Sequence, residues 1–121
     1  MFSQAVSNST IRKCVFRDVG DSAIAMLGST DLMLGTGKRG RFPSHNLIES
    51  NLVRTVGVFG KQTSAYFKAK SRENVVRNNV FTNGPRAGVN FNDGGAGGEV
   101  LEGNLIFNFV RESGDHGMVS D

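Results

Sequence analysis

The sequence predicts an all-β fold, a right-handed single-stranded parallel β-helix of about four coils. Three observations predict it. A unit N-x-Φ-x-x-N-x-Φ, with Φ apolar, recurs in four segments. Apolar residues inside each unit follow a period of two rather than 3.6. The second polar position of the unit runs Cys14, Asn51, Asn79, Asn104, at spacings of 37, 28 and 25 residues. Spacings of that size mark repeats that stack as a solenoid.

The first segment is Ser9-Thr10-Ile11-Arg12-Lys13-Cys14-Val15-Phe16. Ile11, Cys14 and Phe16 cannot share one helical face with Arg12 and Lys13 between them. Residues 28–44 follow as an inserted loop, rich in Gly and closed by Pro43. Within it, Gly35-Thr36-Gly37-Lys38 lacks the gap and the following helix of a phosphate-binding loop. The second segment is Asn46-Leu47-Ile48-Glu49-Ser50-Asn51-Leu52-Val53, and the third is Asn74-Val75-Val76-Arg77-Asn78-Asn79-Val80-Phe81. Asn83-Gly84-Pro85 is a sharp turn and Gly94-Gly95-Ala96-Gly97-Gly98 a flexible one. The fourth segment is Glu99-Val100-Leu101-Glu102-Gly103-Asn104-Leu105-Ile106. A small residue followed by an apolar one opens a further strand at Ala23-Ile24, Gly88-Val89 and Gly117-Met118.

Strands this short cannot hold a sheet alone. Stacked coils bury their apolar residues against one another, about 4.8 Å apart. At that spacing Asn51, Asn79 and Asn104 form a ladder of carboxamides, with Cys14 in the same place in the first coil. Asn also tolerates the left-handed conformation of a sharp bend. A leucine-rich repeat would need Leu where this chain has Val, Ile, Phe and Ala, and a hexapeptide helix would need coils of about 18 residues.

Composition bounds the function. The 121 residues are expected to form one β-helix domain, 1–121, or a fragment of one. Hydrophobic residues make up 38%, without a run long enough to span a membrane. One Cys excludes a disulfide framework and a Cys-based zinc site within the chain. No metal or other cofactor is expected. Met1 to Ser7 lacks the basic start and apolar core of a signal peptide. The net charge of +3 is spread among acids, unlike the dense basic stripe of a nucleic-acid binder. Asn8-Ser9-Thr10 fits the N-glycosylation pattern, which matters only outside the cell.

Strand alternation places Phe67, Ala69, Val89 and Phe91 inward and Lys68, Lys70, Asn90 and Asn92 outward on one sheet. With Tyr66 and Asp93 nearby, that face is a candidate surface for sugar hydroxyls or a uronate carboxylate. Arg111-Glu112-Ser113-Gly114-Asp115-His116-Gly117 adds an adjacent Asp and His for acid–base chemistry. The candidate catalytic residues are Lys70, Arg86, His116 and Asp115, with Lys70 or His116 as base and Arg86 neutralising a carboxylate. A solvated outer sheet face and a hydrogen-bonded turn histidine would carry the same residues.

On the N-x-Φ-x-x-N-x-Φ units, and on Asn51, Asn79 and Asn104 as an asparagine ladder, residues 8 to about 120 resemble the pectin-lyase-like superfamily of parallel β-helices. Gly84-Pro85-Arg86-Ala87-Gly88-Val89-Asn90-Phe91-Asn92-Asp93-Gly94 and the Arg111–Gly117 stretch look like an uncharacterised subgroup of it. The resemblance implies a chain that continues through more coils, a secreted or cell-surface location, and polysaccharide binding or processing by a lyase, hydrolase or epimerase. In the chondroitinase and alginate lyase branch, a Lys at a strand end is the base, and Lys70 matches it. The partner Arg position holds Asn92, and the calcium-binding acids stand as Thr63 and Ala65. The expected partner is a polysaccharide, acidic if the basic residues line the groove. The competing expectations are a non-catalytic structural or adhesive solenoid and a truncated piece without activity. Coils left uncovered at either end would associate end to end.

Overall fold

The computed structural model describes residues 2–3, 6–28, 43–92, 98–111, 117 and 119–120. All strands are parallel and form three sheets that the chain visits in turn. Sheet 1 contains β2 (Thr10–Arg12), β5 (Leu47–Glu49), β8 (Val75–Arg77) and β11 (Val100–Glu102). Sheet 2 contains β3 (Val15–Arg17), β6 (Leu52–Arg54), β9 (Val80–Thr82) and β12 (Leu105–Phe107). Sheet 3 has five strands: β1 (Phe2–Ser3), β4 (Ile24–Leu27), β7 (Tyr66–Ala69), β10 (Val89–Asn92) and β13 (Val119–Ser120). The molecule is a parallel β-solenoid of about four coils. No helix is long and apolar enough to cross a membrane among the described residues.

Strands of two to four residues can run so briefly because each coil turns three corners. Every corner carries a residue with positive φ at the same place. Before sheet 1 it is Asn8, His45, Glu73 and Gly98; between sheets 1 and 2 it is Lys13, Ser50, Asn78 and Gly103; after sheet 2 it is Asp18, Thr55, Asn83 and Asn108. This corrects the expected division of labour. The left-handed residue is not the ladder asparagine but the residue just before it. The ladder side chain is thereby left free of strain and pointed inward.

The ladder itself forms. The Nδ2 of Asn51 donates to Asn79 Oδ1 at 3.0 Å, and that of Asn79 to Asn104 Oδ1 at 3.0 Å. Each Oδ1 also accepts the backbone N–H of the preceding coil's ladder residue, including that of Cys14 at 3.0 Å. The other amide proton of each returns to a carbonyl of the preceding coil, at Ile11, Ile48 and Val76. These carboxamides therefore satisfy backbone groups that a bend would otherwise leave orphaned.

In-register pairing then stacks like on like. The interior rows are Ile11–Ile48–Val76–Leu101 and Phe16–Val53–Phe81–Ile106. The middle members, Ile48, Val53, Val76 and Phe81, are fully buried. Burial of such side chains stabilises by roughly 1.5–3 kcal/mol each. The end members are only partly buried. The inserted loop leaves the stack after Gly28, whose N–H donates to Ala69, and rejoins it at Ser44, which bridges Ser7 and Arg72. Residues 29–42 of that loop lie outside the described residues.

Candidate functional site

Sheet 3 was expected to carry the functional face, and its register corrects that expectation. Ile24 and Val89 both pair with Tyr66, and Met26 and Phe91 with Lys68. Ile24, Met26 and Val89 are core residues, and Phe91 packs against the core. Tyr66 and Lys68 therefore point inward, while Phe67 and Ala69 share the outer rows with Asn90 and Asn92. A one-residue change of phase exchanges the two faces of a strand. Tyr66-Phe67-Lys68-Ala69 has apolar character in both phases, so only its neighbours decide. Lys68 and Tyr66 are thus lost to an outer groove, Asn90 is nearly covered, and Asn92 is exposed.

Inside the coil, Lys68 Nζ lies 3.7 Å from Glu99 Oε1 and 5.5 Å from the centre of the Phe91 ring. Both charged side chains are 7% exposed. Glu99 Oε1 also accepts from Asn74 Nδ2 at 2.9 Å and from Ser71 Oγ at 3.3 Å. Burial raises the Glu99 carboxyl above its ordinary range, against the opposing pull of Asn74, Lys68 and Ser71. Burial, and then the Glu99 charge, also push the Tyr66 phenol up. Among the described residues the Tyr66 hydroxyl has no hydrogen-bond partner, and neither has Glu99 Oε2. This rung closes a second ladder that was not anticipated. Asn46 Nδ2 donates to Asn74 Oδ1 at 3.0 Å, and Asn74 then reaches Glu99. Its signal was present in the first Asn of the repeated unit.

Among the described residues a cleft lies elsewhere, at the corner between sheets 2 and 3. The turn before β4 spans residues 18–23 and that before β10 spans 83–88, whereas the turn before β7 spans 55–65. The longer turn stands out from the stack and walls a cleft of about 290 Å³ against Asn83, Gly84 and Pro85 of the next coil. Gly57 makes the fold-back there, at φ +67°, where a Cβ would come within 2.7 Å of Gly60 O and Pro85. Lys61 and Arg111 line the cleft, together with Thr55, Val56 and Val58. Arg86 lies on the same corner, its guanidinium donating to Gln62 Oε1 of the long turn at 2.8 Å. Its Nε is buried without a partner. Lys61, Arg86 and Arg111 come from three successive coils, so the cations repeat along the solenoid axis.

Of the expected catalytic set, only Lys70 and Arg86 lie among the described residues. Lys70 follows the end of β7, half-buried and with φ 54°, while Arg86 lies before the start of β10. These parallel strands put at least a strand length, about 13 Å, between the two positions. Asp93, Asp115 and His116 lie outside the described residues. Among the described residues, those lining the cleft include neither a carboxylate nor an imidazole. The cleft was not legible from motifs. Its one sequence signal is the excess of residues between Val53 and Tyr66, marked by Gly57-Val58-Phe59-Gly60.

The chain matches no protein-family model, and comparison with curated proteins and with solved structures gives no match.

Proposed function

We propose that the chain is a polysaccharide-binding module that takes an acidic glycan along the corner between sheets 2 and 3. The observation that carries this reading is the cleft with Lys61 and Arg111 in its wall and Arg86 beside it, without an acid among the described lining residues. A uronate carboxylate suits such a site, because guanidinium groups meet carboxylates with two parallel hydrogen bonds. Thr55 and Asn83 supply neutral partners for hydroxyls, and Val56, Val58 and Pro85 supply apolar surface for a sugar ring. The resemblance to the pectin-lyase-like superfamily supports the glycan class. Fold alone does not carry an activity, and the described lining residues are those that hold a ligand, so binding is the function proposed, with lyase-like processing as the alternative.

The test is titration with polygalacturonate, alginate and a neutral glucan at low and high salt. Binding of an acidic polymer that weakens steeply with salt, and falls tenfold or more in Lys61→Ala/Arg111→Ala, supports the reading. Equal affinity for the neutral glucan, or an unchanged double variant, overturns it. Appearance of unsaturated-uronate absorbance in the same mixtures would replace binding by lyase action.

A further inference from the structure

One buried corner holds a set of reactive groups that glycan binding leaves unused. Lys68 from β7 and Asn74, just before β8, belong to one coil, and Glu99 belongs to the next. The three meet inside the stack, where Lys68 is 5% exposed and Asn74 fully buried. A single oxygen joins them. Glu99 Oε1 accepts from Asn74 Nδ2 at 2.9 Å and stands 3.7 Å from Lys68 Nζ. The amine is thereby held beside the carboxamide, with the Phe91 ring 5.5 Å away as an apolar wall. On stability alone an apolar pair of like volume would serve as well as a buried ion pair or better, so the buried lysine calls for another use.

The carboxamide of Asn74 is polarised as well as enclosed. Its Oδ1 accepts two hydrogen bonds, from the backbone N–H and from Nδ2 of Asn46, each at 3.0 Å. Two fixed donors on one carbonyl oxygen stabilise negative charge that develops there. Asn79 in the other column receives the same two donors from Asn51, at 2.9 and 3.0 Å. Its Nδ2, however, donates to the neutral Oδ1 of Asn104, and Lys68 is the only buried amine among the described residues. Asn74 alone therefore combines a polarised carbonyl, a nucleophile and an acid.

We infer that Lys68 and Asn74 become joined by an isopeptide bond, with Glu99 as the acid–base group, and that the observed contact is the arrangement that precedes it. Lys68 passes a proton to Glu99, and the buried ion pair becomes a neutral amine and a neutral acid. The lone pair of Nζ attacks Cγ of Asn74, and the carbonyl electron pair moves onto Oδ1 under the two Asn46 donors. Glu99 gives its proton to Nδ2 and takes one from Nζ. The Cγ–Nδ2 bond breaks, ammonia leaves, and the Cγ–Nζ amide remains, with Glu99 protonated. Burial favours that form of Glu99, since it raises the carboxyl above its ordinary range. Oδ1 survives the reaction, so the bonds from Asn46 persist, and the new amide ties sheet 3 to sheet 1 across the corner.

The test is intact-mass spectrometry and tryptic mapping of the full chain, wild type beside Lys68→Met and Glu99→Gln, each incubated until its mass stops changing. Wild type is expected to lose one ammonia. Trypsin then spares Lys68 and yields residues 62–70 joined to residues 73–77, a branched peptide that fragmentation identifies. Both variants are expected to keep the full mass of their sequences, with circular dichroism confirming that their strands persist. The wild-type map decides the bond by itself, whether or not the variants fold. A wild type of full mass overturns the inference, and so does recovery of residues 62–68 and 73–77 as separate peptides in full yield. Loss of ammonia that persists in Lys68→Met overturns it too, since it would mark ring closure at an Asn-Gly pair such as Asn83-Gly84. An equal yield of branched peptide in Glu99→Gln overturns the role given to Glu99.

Discussion

The two corners that flank sheet 1 share one backbone geometry and end differently. At the corner between sheets 1 and 2 the column is Cys14, Asn51, Asn79, Asn104, with neutral amides handing one proton to the next coil. At the corner between sheets 3 and 1 the column is Ser9, Asn46, Asn74, Glu99, and its last member is a carboxylate. The interior beside each corner explains the difference. The first column stands between the apolar rows of Val53 and Phe81 and of Ile48 and Val76. The second faces Lys68, the one charged side chain in the inward rows of the described residues, and a carboxylate serves there both as ladder acceptor and as counter-ion. The ladder position is therefore a requirement for an acceptor oxygen, and the neighbouring sheet selects whether that oxygen carries charge.

The sharpest way to break this contrast is Glu99→Ala. It removes the carboxylate that faces the buried Lys68 and is expected to cost about 3–5 kcal/mol, measured by urea unfolding. Glu99→Leu combined with Lys68→Met restores an apolar rung and is expected to recover most of that loss. A double variant no more stable than Glu99→Ala would show that the ladder bond to Asn74, and not the charge, is what matters. Next in size is Asn79→Ala in the neutral column. It removes a side chain that accepts from Asn51 and donates to Ile48 and Asn104, and is expected to cost about 2–3 kcal/mol. The same change at Asn104, on the outermost coil, is expected to cost roughly half as much.

The pH dependence sharpens the comparison further. The folded Glu99 carboxyl is raised above its ordinary value of 4.5. Its contribution is therefore fully present below that value and is lost as pH rises through the folded value. The stability of wild type relative to Glu99→Gln is expected to decline as pH rises above the ordinary carboxyl value of 4.5 and through the raised folded value, and then to flatten. A difference that grows with pH would contradict the burial of the carboxylate. The smallest effect expected is Cys14→Asn, which extends the neutral ladder by one donor to Asn51 Oδ1 and stabilises by about 0.5–1 kcal/mol. No gain in unfolding midpoint would mean that the first coil is too exposed to hold an added amide in place.

Much of the architecture follows from the chain read as a string. Asn51, Asn79 and Asn104 recur with apolar residues at constant offsets, because every coil poses the same problem at the same corner, and the answer is a short carboxamide. That signal is local and repeats, so it survives without coordinates. The partner ladder was equally present in Asn46 and Asn74, but its last member is Glu99, and nothing near Glu99 in sequence shows that a carboxylate completes a row of amides. Tertiary structure alone decided three matters. The phase of Tyr66-Phe67-Lys68-Ala69 was settled by Ile24, Met26, Val89 and Phe91 on the adjoining strands, since either phase buries an aromatic ring. Lys68 was turned inward because Glu99 waits one coil later to meet it. Lys61, Arg86 and Arg111 were gathered at one corner by the rise of the stack, which brings residues 25 positions apart to neighbouring levels, a proximity that no spacing along the chain announces.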